Sequence, residues 1–118
     1  ELTGWQTWML PMDDLSKINF SGMEPSKGSV GPAFYQGHFD PPLLGDTFLD
    51  TRGWGKGAVW INGHALGRFW NVGPQQTLYV PAPYLKQGRN EVVVFTFGGK
   101  TVRLRGLREP ILDEMGTE

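Results

Sequence analysis

A cluster of aromatic, amide and cationic residues between positions 54 and 76 has the composition of a carbohydrate-binding site. Flat aromatic faces pack against the C–H groups of a sugar, while amide and guanidinium groups hydrogen-bond its hydroxyls. The candidate binding residues are Trp54, Lys56, Arg68, Trp70, Asn71, Gln75 and Gln76. A second interpretation assigns the tryptophans to a hydrophobic core, with Arg68 stacked on Trp70. The sequence leaves both interpretations open.

Carboxylates are the next candidates for chemistry. Glycoside hydrolysis needs two carboxyl groups, about 5–9 Å apart, on either side of one bond. Asp residues at strand edges and in turns ordinarily accept hydrogen bonds from backbone amides, so we favour a structural role for these candidates. They are Asp40, Asp46, Asp50 and Glu91.

Other catalytic and metal-binding arrangements have little support in the sequence. The two histidines, His38 and His64, show no metal-ligand spacing, and the chain has no Cys. A calcium site built from loop carbonyls and a carboxylate stays open, and no other cofactor is indicated. No serine stands in a Gly-x-Ser-x-Gly nucleophile elbow; the serines are Ser16, Ser21, Ser26 and Ser29.

The composition favours short strands joined by turns. The 118 residues include 17 Gly and 9 Pro, 19% charged residues and 13% aromatic residues, which argues against a helical bundle or a disordered chain. A net charge of −1 provides no extended field for nucleic acid. No apolar run approaches the ~18 residues of a membrane helix. The lack of Cys does not fix the compartment.

Seven or so short strands at the spacing of a β-sandwich or barrel are expected. Between two of them, Asn62-Gly63 predicts a type I′ hairpin turn, because that turn needs positive φ at both central residues. The predicted strands cover residues 34–40, 47–50, 58–61, 64–67, 77–80, 91–97 and 101–107.

The remaining segments give weaker predictions. Residues 1–10 are apolar on both alternating faces, which indicates an extended segment buried on two sides. A helical turn capped by Asp13 or Asp14 follows, then a loop over residues 21–32. Tyr84 to Gly88 resembles a single turn closed by glycine. We expect one domain over residues 1–118, with residues 109–118 as a tail or exit linker.

One stretch of the chain is far more specific than its composition. The sequence contains GWGKG at 53–57, VWINGH at 59–64, LGRFW at 66–70 and GPQQTLYVP at 73–81. Over about positions 46–95 it closely resembles the C-terminal region of family 35 glycoside hydrolases, the β-galactosidases. The upstream residues 2–5, 10–12 and 32–35 resemble the same region less specifically.

The resemblance implies a galactose-binding-domain-like jelly roll, packed on a catalytic (β/α)₈ barrel of the same polypeptide. In that family the acid/base and the nucleophile are glutamates of the barrel, and no motif assigns either role to a Glu of this chain. We therefore expect no catalytic residue here, and a parent polypeptide that is a retaining β-galactosidase. Because the chain begins at Glu1, a strand at the N-terminal side of the jelly roll is expected to be missing.

Three functions are compatible with these observations. The first is a non-catalytic accessory domain that supports the barrel and contacts carbohydrate, with the seven candidate residues at the sugar or at the barrel interface. The second is an independent carbohydrate-binding module that recognises galactosides. The third is a purely structural interface domain, in which Trp54 and Trp70 form an exposed apolar patch.

Overall fold

The chain folds as a β-sandwich of two antiparallel sheets. A computed structural model describes residues 1–9, 12–20 and 31–117, and within them seven strands form a four-stranded and a three-stranded sheet. Two short 3₁₀ turns cover Leu15–Lys17 and Ala82–Tyr84. The strands are β1 (Ala33–Phe39), β2 (Thr47–Asp50), β3 (Lys56–Ile61), β4 (His64–Trp70), β5 (Thr77–Val80), β6 (Asn90–Thr96) and β7 (Arg105–Leu107).

The four-stranded sheet, in the order β1-β6-β3-β4, has buried apolar side chains on both faces. Side chains alternate between the faces of a strand, so Val94 of β6 points into the core while its neighbour Val93 points to the opposite face. Val93 lies opposite Trp60 of β3, and both are buried although neither belongs to the core cluster. The run of β-branched residues in β6 is therefore explained by burial on both faces.

The β3–β4 hairpin confirms the predicted turn. Asn62 and Gly63 have φ angles of 49° and 80°, as a type I′ turn requires. The Asn62 side chain also fixes the hairpin to neighbouring segments, since its amide donates to the Tyr84 carbonyl and to Asn90 Oδ1, each at 2.8 Å. A register shift between Val59 and Trp60 sets which residues of β3 and β4 face each other.

The three-stranded sheet, in the order β5-β2-β7, supplies the other half of the core. Leu49 of β2 lies opposite Leu78 of β5, and both belong to the core cluster. They pack in the same cluster as Val59 and Ile61 of the first sheet. The predicted strands over residues 47–50 and 77–80 are confirmed at their predicted bounds.

Three predictions need correction. Residues 1–9 are exposed and contain no strand, with Trp5 and Trp8 at 78% and 73% exposure, because neither described sheet pairs with this segment. The last strand covers only Arg105–Leu107, since it pairs with β2 over just three residues. The turn near residue 84 lies at Ala82–Tyr84, ahead of its predicted position, and Gly88 follows with a φ of 82°.

The predicted helical turn is present as the first 3₁₀ turn, and Asp14 caps it by accepting a 3.0 Å hydrogen bond from the Ser16 amide. Most of the predicted loop over residues 21–32 lies outside the described residues. In the described ranges, no helix combines the length and apolar character of a membrane span.

The sandwich is closed along one side and open along the other. β4 lies against β5 where the two sheets meet. On the opposite side, the edge strands β1 and β7 leave a cleft of about 880 Å³ between the sheets. Side chains at its floor include Leu49, Trp54 and Val94 of the core. We call this space the open cleft.

Candidate functional site

A groove of about 550 Å³ lies at the end of the four-stranded sheet where β3 begins. β3 starts at Lys56, β4 ends at Trp70 and β6 ends one residue before Phe97, so the groove collects side chains from three adjacent strands. We call it the Lys56 groove. Its lining side chains include Arg52, Lys56, Trp70, Asn71, Gln76, Phe97, Lys100 and Glu114.

The central feature of the Lys56 groove is a row of three side chains, one from each strand end. Lys56 is the register partner of Trp70, and the Phe97 amide donates to the Lys56 carbonyl at 2.9 Å. The Lys56 ammonium nitrogen lies 4.2 Å from the centroid of the Trp70 ring, a cation–π contact. Trp70 and Phe97 are 48% and 56% exposed. The row therefore presents two half-exposed aromatic rings, with the Lys56 cation between them and in contact with the Trp70 ring.

Two closely packed glycine loops form the floor of the groove. Gly55 has a φ of 78°, and a Cβ there would overlap the carbonyl oxygen of Gly98. A Cβ at Gly99 would lie 2.8 Å from the Trp54 carbonyl oxygen. Because backbone meets backbone without intervening side chains, the floor has little freedom to move.

Trp54 lies between two groove-lining glycines but belongs to the core. It is 3% exposed, its indole N–H donates to the Arg103 carbonyl at 2.8 Å, and its ring meets Tyr35 edge-on at 5.4 Å. Only Trp70 of the expected exposed pair is at the surface. The core interpretation therefore holds for Trp54 and fails for Trp70.

The predicted stacking of Arg68 on Trp70 is wrong. Arg68 lies opposite Ala58, and the cation over the Trp70 ring is Lys56. Directly opposed residues on neighbouring strands are closer than residues two apart on one strand, so the cross-strand lysine has the better position. Arg68 is exposed and is outside the residues that line the groove.

The amide candidates hold the chain together around the groove. Gln76 is buried, and its Nε2 donates to the carbonyls of Asn71 and Glu114 at 3.0 and 2.9 Å. Asn71 Nδ2 donates to the Thr117 carbonyl at 3.3 Å. Gln75 Nε2 donates to the Thr77 carbonyl. Through these bonds, and through the 2.8 Å bond from the Gln76 backbone amide to the Ile111 carbonyl, residues 111–117 lie along the β4–β5 loop. Whether residues 109–118 form a tail or exit linker stays a prediction.

A buried carboxylate connects the groove to the rest of the domain. Asp50 is 5% exposed, and its Oδ2 lies 2.8 Å from both Arg52 Nη2 and Arg105 Nη2. Arg52 also pairs with Glu114 at 3.1 Å. The hydrogen bonds from Arg52 lower the pKa of Asp50 most, burial opposes them, and Arg105 adds to the lowering. Asp50 therefore stays ionised and does not supply a proton near neutral pH.

The other carboxylate candidates have the structural roles that were favoured, or none in the groove. Asp46 accepts a 2.9 Å hydrogen bond from the Ala82 amide, and Glu91 accepts one of 2.8 Å from Gln36. Asp40 lies at the open cleft. In the part of the chain that the structure describes, no three His, Asp or Glu side chains lie close enough to hold a metal ion.

Phe97 and Lys100 line the groove but were not among the residues predicted for it. Phe97 ends the predicted strand over residues 91–97, and Lys100 directly precedes the predicted strand over residues 101–107. A usable signal was present: at the end of β6 and one residue beyond it, Phe95 and Phe97 alternate with the buried Val94 and Thr96, which places both aromatics on the outer face. The ring centroids of these two phenylalanines are 5.0 Å apart.

Comparison with known proteins gives a family for this arrangement. Residues 32–90 match the family model described as "Beta-galactosidase, galactose-binding domain". Human "Beta-galactosidase-1-like protein 2" is 54% identical over 65 residues, which are 54% of the chain and 10% of that protein. "Beta-galactosidase 1" of Dictyostelium discoideum is 39% identical over 97 residues, which are 77% of the chain and 14% of that protein.

A bacterial relative gives the same picture. "Beta-galactosidase" of Xanthomonas manihotis is 46% identical over 81 residues, which are 68% of the chain and 13% of that protein. The chain thus spans only about a tenth to a seventh of the length of these curated relatives.

Proposed function

Because the chain belongs to the galactose-binding domain family of β-galactosidases, we propose that it is a non-catalytic accessory domain of a glycoside hydrolase. In this proposal it supports a catalytic (β/α)₈ barrel of the same polypeptide, and the barrel hydrolyses β-galactosides. The match to a small part of much larger β-galactosidases supports an accessory role.

The open cleft is the main observation in favour of a domain that packs against the barrel and supports it. Core side chains such as Leu49 and Val94 line it, and the rim adds Leu43 and Leu44, which are 85% and 46% exposed. Both flanking strands are sheet edges, with backbone hydrogen-bonding groups on one side unpaired by another described strand. An apolar cleft between two sheet edges is a surface that a neighbouring domain stabilises by covering it.

A non-catalytic role is supported by the hydrogen bonds and ion pairs that most of the candidate carboxylates already make within the domain. Asp50 is the only buried carboxylate in the described ranges, and its depressed pKa is the opposite of what a general acid needs. We expect the purified 118-residue chain to give no turnover of an aryl β-galactoside. Measurable turnover that co-purifies with the chain would contradict a non-catalytic role.

Docking is tested with a family 35 barrel that is produced separately and mixed with the chain. Leu43→Asp places a charge at the cleft rim. We expect it to lower the fraction of the chain that co-elutes with the barrel in size-exclusion chromatography at least tenfold, since charges are excluded from interface cores. Leu112→Asp is the matched control, because Leu112 is 56% exposed and outside the cleft. Equal co-elution of both variants would place the interface elsewhere.

Carbohydrate recognition at the Lys56 groove is a second candidate function. The half-exposed rings of Trp70 and Phe97 favour it, because exposed aromatic faces beside polar groups suit sugar rings. Titration of the chain with galactose, followed by amide chemical shifts, tests this function. The expected result is shift changes confined to groove residues; no change at millimolar sugar would contradict it.

A further inference from the structure

The Lys56 groove carries more positive charge than a site for neutral sugars requires. Its lining includes three cations, Arg52, Lys56 and Lys100, against the single carboxylate of Glu114. Arg52 is already paired with Glu114 and with Asp50. No carboxylate of the described residues lies within 4.0 Å of the ammonium groups of Lys56 and Lys100.

We propose that the Lys56 groove binds an acidic saccharide, a pyranose that carries a carboxylate or sulfate group. The inference deepens the second candidate function and rests on it, since it names the class of sugar that the groove takes. Lys56 and Lys100 bind the anionic group, and the rings of Trp70 and Phe97 pack against the C–H faces of the saccharide.

The spacing of the row suits a ligand of this kind. Lys56 lies between Phe97 and Trp70 on three adjacent strands. Strands are about 4.8 Å apart, so the two aromatic side chains start about 10 Å from each other. One or two pyranose rings that lie across the row, over Lys56, span that distance, and the groove volume of about 550 Å³ lies in the range of small-molecule sites.

The contact between Lys56 and Trp70 prepares the cation for an anion. Packing on the ring places the ammonium group over Trp70 without neutralising it, because a π face carries no net charge. The group keeps donors free for a carboxylate or sulfate oxygen. A ligand that offers only hydroxyls leaves the charges of Lys56 and Lys100 uncompensated.

The rest of the groove is rigid enough to act as a binding site. The floor is fixed by backbone packing at Gly55 and Gly99. The wall is fixed by the ion pair of Arg52 with Glu114 and by the two hydrogen bonds of the Gln76 amide. Little ordering is therefore needed on binding, which favours measurable affinity from a few contacts.

The test is calorimetric or chemical-shift titration of the 118-residue chain with four probes: galactose, galacturonic acid, galactose 6-sulfate and inorganic sulfate. We expect the two acidic sugars to bind about tenfold more tightly than galactose, since a charge-assisted hydrogen bond contributes enough for that ratio. The preference is expected to shrink as salt rises to and above about 0.15 M.

Substitutions separate the two parts of the site. Lys56→Gln and Lys100→Gln are each expected to remove most of the preference for acidic sugars, measured as the ratio of the affinity for galacturonic acid to the affinity for galactose. Trp70→Ala and Phe97→Ala are expected to weaken the binding of galactose and of both acidic sugars. Lys86→Gln is the matched control, because Lys86 is exposed and outside the groove. Thermal unfolding of every variant checks that it is folded.

Several results would overturn the inference. Equal affinity for galactose and the acidic sugars would leave carbohydrate recognition standing but refute the acidic class. Sulfate that binds as tightly as galactose 6-sulfate would identify an anion site without sugar recognition. If no sugar binds, both this inference and the second candidate function fail, while the accessory role is judged separately by barrel association.

Discussion

The Lys56 groove and the open cleft lie on opposite sides of one short segment, Gly53-Trp54-Gly55, and they are built differently. The two glycines line the groove, whereas the Trp54 side chain turns away and lines the cleft. The groove has a floor of tightly packed backbone and a wall of charged and aromatic side chains. The cleft has a floor of core side chains and a rim that includes exposed leucines.

The difference shows which surface suits which kind of partner. A rigid polar groove with isolated aromatic faces fits a small polar ligand, because few groups need to be ordered on binding. An apolar cleft between two sheet edges fits a protein surface, which contributes large apolar area and backbone hydrogen bonds. One GWG segment therefore serves both surfaces, through its backbone on one side and its indole on the other.

The strongest test of this comparison contrasts Trp54 of the cleft with Trp70 of the groove. Trp54→Ala is expected to lower the free energy of unfolding by about 4 kcal/mol, since it removes a buried ring from the core. Trp70→Ala is expected to cost about 2 kcal/mol, since that ring is 48% exposed and buries only about half of its surface. Urea unfolding measures both. Similar losses for the two variants would mean that Trp70 also supports the core.

The rigidity of the groove floor is tested by adding one methyl group. Gly55→Ala is expected to lower the free energy of unfolding by about 3 kcal/mol, because it combines a left-handed φ with overlap on the Gly98 carbonyl. Gly88→Ala is the control: its φ of 82° is similar, but a Cβ there meets open space, so about 1 kcal/mol is expected. If both variants unfold at the same denaturant concentration, the floor is not tightly packed.

The Asp50 carboxylate joins the two regions, because Arg52 lines the groove and Arg105 lines the cleft. Asp50→Asn is expected to lower the free energy of unfolding by about 2 kcal/mol at neutral pH, since two guanidinium groups lose their shared carboxylate. Asp40→Asn, at an exposed position, is expected to stay within about 0.5 kcal/mol of the wild type.

Because of the same carboxylate, we expect the free energy of unfolding to fall as the pH becomes acidic. The pKa of Asp50 is lower in the folded chain than the ordinary value near 3.9. Its stabilisation is therefore fully present above that ordinary value and is lost as the pH falls toward the depressed folded pKa. The difference in stability between wild type and Asp50→Asn is expected to shrink below about pH 4. A constant difference down to strong acid would contradict this coupling.

The smallest expected effect concerns the cleft rim. Leu43→Ser is expected to change the free energy of unfolding of the isolated chain by less than about 0.5 kcal/mol, because Leu43 is 85% exposed. The same variant is expected to weaken association with the barrel. A stability loss of several kcal/mol would instead place Leu43 in the core of the chain itself and weaken the distinction between cleft and groove.

Much of the fold was predictable from local patterns. The strands at 47–50 and 77–80 end at turn residues or prolines, and the Asn62-Gly63 turn needs a conformation that few other residue pairs adopt. The extended segment at 1–10 was mispredicted for the opposite reason. Its alternating tryptophans are compatible with a buried strand, but burial needs a partner strand, and local sequence does not say whether one is present.

The candidate site was predictable only in part, because its residues come from the ends of β3 and β4, from three loops and from residues 114–117. Lys56, Trp70, Asn71 and Gln76 do line one groove, as their closeness in sequence suggested. The role of each residue did not follow from its residue type. The side-chain amide of Gln76, for example, donates its hydrogen bonds to two backbone carbonyls. Phe97 and Lys100 join the groove only because β6 lies beside β3.

Most of the strands, the hairpin and the family follow from the sequence alone, because turn chemistry and the dense motif between positions 53 and 81 are local properties. The burial of Trp54, the exposure of Trp70 and the cation over the Trp70 ring depend on tertiary packing. Buried apolar side chains lie on both faces of the first sheet, so alternation alone cannot identify the core face. The register between β3 and β4, with its shift at Val59/Trp60, brings Lys56 and not Arg68 over Trp70.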